Sequence, residues 1–198
     1  MSTITTTQPT VLEPLASPAL YRITVAEYER MTGVLNDPRV ELIDGYLVKK
    51  MSKKPPHIWS VTAARKALAA LLPAGWSWRK EDPVRIPDFD EPEPDVAVVR
   101  GTDEDYRNRI PEPNDVALLV EVTETTQDRD RCEKLAAYAR ARIPIYWIVD
   151  LIDRRIEVYT DPAPEGYRRR EDFASGSDVP VVIDGVEVGR IAVAGILG

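Results

Sequence analysis

Val116-Ala-Leu-Leu-Val-Glu121-Val122 decides how this chain is read. The run is apolar at every position but one, so it has no polar face to turn to water. That pattern predicts a central strand, buried on both sides. Glu121 stands near its end. A second stretch, Pro94-Asp95-Val-Ala-Val-Val99, is a short apolar strand that opens on a carboxylate. Ile145 to Val149 is a third apolar strand, and Arg155 to Thr160 is expected to form a hairpin with it. Between the Glu121 strand and Ile145, Asp128 to Arg142 reads as a helix.

Upstream the signals are shorter. Thr24-Val-Ala-Glu27 matches a capping box that opens a short helix to about Met31, with Gly33 as its stop. Arg39 to Met51 reads as two strands around Asp44-Gly45, a hairpin signal because Gly tolerates positive φ. Pro55-Pro56 breaks the chain, and His57 to Leu72 carries apolar residues at helical spacing. Trp76–Lys80 and Val84–Ile86 are candidate strands. Pro87 to Pro94 is an acidic, Pro-rich turn, and Gly101 to Asn114 is a polar loop. From Tyr167 onward turns alternate with short strands. Residues 1–20, rich in Thr and Pro, are expected to be a flexible tail, and residues 21–198 a single domain. The order of elements implies an α/β fold: a mixed β-sheet flanked by helices, without a regular βαβ repeat.

Composition narrows the function classes. Of 198 residues, 43% are hydrophobic and 30% charged, the balance of a soluble globular protein. No apolar run approaches the ~20 residues of a membrane span. No basic patch followed by an apolar stretch marks a secretory signal. Cys132 is the single cysteine, which excludes an internal disulfide and a Cys-rich metal cluster, and a reducing cytoplasm is the expected compartment. The net charge of −7 gives no bulk signal for nucleic acid. An acidic enzyme can still act there if its basic residues cluster and a metal offsets its carboxylates.

Asp95 and Glu121 form the candidate site. If their strands are antiparallel neighbours, the start of one lies against the end of the other, and the carboxylates fall within roughly 5 Å. Like charges so placed repel unless a cation sits between them, and oxygen-only ligands with open water positions suit Mg²⁺ or Mn²⁺. The plain alternative is two unrelated strand-end acids facing water. Lys134 borders the apolar side of the helix after the Glu121 strand and could reach back to the sheet. Its alternative is a solvated pair with Asp130, worth only about 0.3–0.5 kcal/mol. Glu41, centred in an apolar strand pattern, is either an edge position facing water or a further acid of the site. His57, the single histidine, is either a site-edge contact or a helix-start packing residue. Cys132 lacks an identifiable base and reads as an inert helix residue. Tyr146 and Trp147 read as packing residues. Arg79, Arg85, Arg107 and Arg109 are candidate contacts to a nucleic-acid backbone.

Taken in order, Glu41-Leu-Ile-Asp-Gly45, His57 opening a helix, Pro94-Asp95-Val-Ala-Val-Val99, Glu121-Val122 and Asp130-x-x-x-Lys134-x-x-x-Tyr138 running into Tyr146-Trp147-Ile-Val-Asp150 resemble the Uma2 family. Endonuclease activity is ascribed to this group, which is placed in the PD-(D/E)XK, or restriction-endonuclease-like, superfamily. The resemblance runs from about Tyr21 to Thr160. It implies a metal-dependent endonuclease acting on DNA. Asp95, Glu121 and the Val122 carbonyl would be ligands of Mg²⁺ or Mn²⁺, Lys134 the superfamily lysine and Glu41 a helper acid. The superfamily places its lysine two residues after the Glu, where this chain has Thr123. Lys134 would then be a migrated lysine supplied from the next helix. A homodimer is compatible with a nuclease that cuts two strands. The other class of reading is an inactive nuclease fold serving as a nucleic-acid-binding or protein-interaction module. A glycosidase pair is a third use for two carboxylates, but aromatic-rich loops are missing and aromatics make up only 7%.

Overall fold

The computed structural model describes residues 20–35, 37, 39–50, 52–124 and 130–198, the side chains of 130 and 131 excepted. The expected N-terminal tail therefore lies almost wholly outside the described residues. The first element is α1 (Val25–Leu35). Its start is the expected capping box: Thr24 N–H donates to Glu27 Oε2 at 2.8 Å, and Glu27 N–H to Thr24 Oγ at 3.3 Å. Its end is later than expected, because Gly33 stays helical. A glycine stops a helix when it takes the left-handed conformation; otherwise it only weakens the helix.

The hairpin forms as read. β1 (Val40–Ile43) pairs antiparallel with β2 (Tyr46–Lys49) across Asp44 (φ 49°) and Gly45 (φ 80°). Gly45 is needed twice over: a Cβ there would also meet Arg22 Cβ at 2.7 Å. Next, α2 spans Pro55–Ala69. It begins at the two prolines expected to break the chain, since the first helical turn needs no N–H donors.

A six-stranded sheet follows, in the order β3-β4-β5-β6-β7-β8. Its strands are β3 (Trp76–Arg79), β4 (Val96–Arg100), β5 (Val116–Thr123), β6 (Ile145–Asp150), β7 (Arg155–Ala163) and β8 (Gly166–Ala174). Every neighbouring pair is antiparallel except β5 with β6, which is parallel. All eight residues of β5 are buried, as its apolar run requires. Val84–Ile86 is not a strand. Flanked by Pro83 and Pro87, it splits its bonds instead: Val84 N–H goes to the Pro92 carbonyl at 2.9 Å and Ile86 N–H to the Asp90 carbonyl at 2.8 Å, while Arg85 N–H goes to the Pro111 carbonyl at 2.9 Å.

Each face of the sheet has its own cover. On one side Val96, Val98, Val120, Val122, Trp147 and Val149 pack against α2, against a hairpin of β9 (Asp178–Ile183) and β10 (Val186–Ala192), and against α4 (Val193–Leu197). On the other, Ala97, Val99, Leu119, Tyr146 and Ile148 meet Tyr138 and Ile143 from α3 (Leu135–Arg140) and the residues just after it. The helix expected over Asp128–Arg142 is in fact a π-helical turn, Asp130–Lys134, followed by α3. Tyr146 and Trp147 are buried packing residues, as read, and Cys132 is exposed. No helix among the described residues is long and apolar enough to cross a membrane.

Candidate active site

Strand register brings the two acids together. Val96 of β4 faces Val120 of β5 in an antiparallel pair, so one step further Asp95 comes opposite Glu121. Side chains alternate along a strand, and Ala97 and Leu119 lie in the cluster on the α3 face. Asp95 and Glu121, each two residues away from one of them, share that face. The Val122 N–H turns outward beyond the last β4 ladder position and donates to Asp95 Oδ2 at 2.8 Å.

Lys134 points into this site. Its ammonium lies 2.9 Å from Glu121 Oε1 and 3.2 Å from Glu41 Oε2. Tyr138, four residues on, donates its hydroxyl to the same Glu121 oxygen at 3.0 Å. Burial, then the Glu121 charge, raises the Tyr138 phenol well above its ordinary range and keeps it a donor. Glu41 is held from the other side by the Glu93 N–H at 3.1 Å. Glu93 belongs to the Pro-rich segment, which is ordered rather than a mere turn: Glu91 N–H bonds the Leu42 carbonyl at 2.8 Å and docks the β1–β2 hairpin beside the start of β4. Glu41, Asp95, Glu121 and Lys134 are 3–5% exposed, so each of these charges sits in largely dehydrated surroundings.

The outer side of Asp95 meets α2 and the segment before it. Asp95 Oδ1 lies 3.1 Å from His57 Nε2 and 3.0 Å from Lys53 Nζ. Burial alone would push the Asp95 carboxyl up. The His57 hydrogen bond and charge, the Lys53 charge and the Val122 N–H outweigh it and hold the carboxyl at about 2. Burial also works against the Lys53 ammonium, but Asp95 and Glu81, the latter 3.1 Å away, raise its pKa overall. The His57 N–H donates to Glu124 Oε1 at 2.7 Å, which anchors the start of α2 to the end of β5.

The structure brings the residues the sequence singled out into one neighbourhood: Val122 and His57 bond Asp95, and Lys134 bonds Glu121 and Glu41. The suggested Asp130 partner for Lys134 has its side chain outside the described residues, and the Lys134 ammonium is engaged by Glu121 and Glu41. Sequence reasoning missed Lys53 and the Tyr138 hydroxyl. The signals were a lysine run just before His57 and a tyrosine four residues after Lys134, on the same side of a helix. The four arginines are engaged elsewhere. Arg79 pairs with Asp82 at 2.9 Å, Arg107 with Glu104 at 3.2 Å, Arg109 with Asp115 at 2.6 Å, and Arg85 with Glu29.

The donors present fit one kind of metal. Among the described residues no three His, Cys, Asp or Glu side chains converge as a cage. What remains is a facing Asp–Glu pair in a site with more buried carboxylate than buried cation. To this is added the Val122 carbonyl, which leaves the strand on the same edge as its N–H. A short, all-oxygen set completed by water and substrate suits Mg²⁺ or Mn²⁺ and does not suit a thiolate- or imidazole-seeking ion.

A mixed sheet flanked by helices, with acids at the facing ends of β4 and β5, defines a nuclease-type α/β fold. A solved structure has this fold: a crystal structure from Anabaena variabilis described as "a putative nuclease belonging to DUF820" superposes with a TM-score of 0.66 over 88% of this chain and 97% of that one, at 16% identity. The model of the Uma2 family, described as "Putative restriction endonuclease", matches residues 25–193, and the chain belongs to that family. No curated protein matches the chain.

Proposed function

We propose that this chain is a metal-dependent endonuclease hydrolysing phosphodiester bonds in DNA, with Asp95, Glu121 and the Val122 carbonyl as ligands of Mg²⁺ or Mn²⁺. The observation that carries the reading is Lys134. A lysine is costly to bury, and this one comes in from the following helix to lie 2.9 Å from Glu121. It supplies, from the helix, the positive charge that the superfamily carries at the position of Thr123. Membership of the Uma2 family and the nuclease description of the Anabaena protein support the same reading.

A bound divalent ion would polarise the phosphate and lower the pKa of a coordinated water. The chain's own residues do the rest. Asp95 stands immediately before β4 and Glu121 within β5, so the register of those two strands sets the acids opposite each other. Lys134 holds a fixed positive charge where a phosphate oxygen gains negative charge, in a site from which water is largely excluded. Glu41 and Tyr138 orient that machinery, Glu41 by holding the ammonium and Tyr138 by holding Glu121. The test is plasmid DNA incubated with Mn²⁺ and the protein, beside Asp95→Ala. Nicking or linearisation should vanish with the substitution; cleavage that survives it sinks the assignment.

One observation favours a second reading. Asp95 already has Lys53 and His57 against it, as in a site that works without metal. An inactive nucleic-acid-binding or protein-interaction module would show no calorimetric Mn²⁺ binding. A nuclease would bind Mn²⁺ and lose it in Asp95→Ala and Glu121→Gln.

A further inference from the structure

We propose that the outer face of α2, with the lysines that precede it, is the surface along which the DNA backbone lies as it enters the site. The inference rests on the nuclease reading above. Its basis is an uneven distribution of charge. Between Asp44 and Glu81 the chain has eight Lys and Arg residues and not one Asp or Glu, in a protein of net charge −7. This acid-free segment is the one that passes the candidate site. Lys50 pairs with Glu93, and Lys53 with Asp95 and Glu81, so the early part of the segment is tied to Asp95 and to carboxylates around it. Lys49, Lys54 and Lys66 are exposed on either side of that anchor.

The distances suit a nucleic-acid strand. Lys54 to Lys66 spans twelve residues of helix, about 18 Å. At one phosphate per ~3.4 Å of axis on each strand, that is about five phosphates. Between the two lysines Ile58 and Trp59 are half exposed, at 49% and 50%, and give the surface an apolar patch suited to sugar and base edges. Backbone amides are not the source of attraction. Pro55 and Pro56 have no N–H, and the His57 N–H is occupied by Glu124 at 2.7 Å. The first turn of α2 thus offers no free donor to a phosphate, and the ammonium groups must do the work. Such binding is salt-sensitive and tolerant of sequence.

The experiment measures fluorescence anisotropy of a fluorescein-labelled 20-base-pair DNA, and of its single strand, in EDTA across a salt series. The wild-type chain is compared with Lys49→Gln/Lys54→Gln/Lys66→Gln and with a control, Arg168→Gln/Arg169→Gln, on the far edge strand β8. Thermal melts establish that both variants fold. The lysine triple should weaken binding and shrink the slope of log K against log[salt] by about 2–3, at about 0.9 per lost phosphate contact. The control should keep the wild-type slope. A triple variant that binds like wild type, while wild type still cuts plasmid, overturns the surface and leaves the nuclease reading standing. A wild-type chain that neither binds nor cuts either form of DNA overturns both.

Discussion

Lys134→Met removes one ammonium from between two buried carboxylates and tests the centre of the site. Methionine nearly matches the lysine stem in volume, so packing is preserved and the change is electrostatic. Glu121 keeps the Tyr138 hydroxyl, and Glu41 keeps the Glu93 N–H, but neither donor carries a full charge. Breaking a buried ion pair by deleting one partner costs about 3–5 kcal/mol, because the remaining charge is left uncompensated. Here two carboxylates are left, so the upper half of that range applies in metal-free buffer. For a chain of this size the loss lowers the melting temperature by on the order of 10 °C. Urea denaturation followed by circular dichroism in EDTA reads it directly. Adding Glu41→Gln and Glu121→Gln to Lys134→Met removes the two carboxylate charges as well and should restore most of the stability, while plasmid cleavage stays abolished. Stability of Lys134→Met equal to wild type, or a neutral triple no better than the single variant, would refute the claim that this ammonium balances those two acids.

Other perturbations separate the remaining contributions. Tyr138→Phe removes one buried donor to Glu121 and is expected to cost about 1.5–3 kcal/mol in a denaturant titration, as for a hydrogen bond to a charged group. Asp95 is held at about 2 against an ordinary 3.8. Its folded form therefore binds fewer protons, and its contribution is complete above about pH 4 and is lost as pH falls toward 2. That contribution is worth about 2 kcal/mol, and the difference between wild type and Asp95→Asn in EDTA should shrink across that window. Gly45→Ala forces a side chain into φ 80° and against Arg22. It should cost about 1–3 kcal/mol and, by loosening the hairpin that carries Glu41, reduce Mn²⁺-dependent nicking without abolishing Mn²⁺ binding. Unchanged melting in that variant would mean the turn does not need its glycine.

Much of the site could be read before the fold was known, because its parts contradict their local surroundings. Glu121 is the one carboxylate in an apolar run, Asp95 opens another, and Glu41 interrupts a third. Acids in such positions need a reason, and their order along the chain matches a family. The structure differs where one local signal allows two outcomes. Gly33 reads as a stop and stays helical, Pro55-Pro56 reads as a break and forms a first turn, and Val84–Ile86 reads as a strand but divides its hydrogen bonds between the adjacent Pro-rich segment and Pro111. Nothing in the lysine run marks Lys53 as the member that reaches Asp95.

The sequence alone determined the central strand, the hairpin turn and the identity of the candidate acids. These follow from hydrophobic periodicity, from the freedom of Gly45 and from the anomaly of charge in an apolar pattern, all of which act over a few residues. Only the tertiary structure decided whether Lys134 belongs with them. Thirteen positions separate it from Glu121, and on local grounds a solvated helix face was the better reading. The decision lies in the packing of α3 on the sheet, with Tyr138 buried against Tyr146 and the π-helical turn before it carrying Lys134 over the end of β5. A long-range juxtaposition of this kind is set by how layers stack and leaves no mark on the periodicity of either segment.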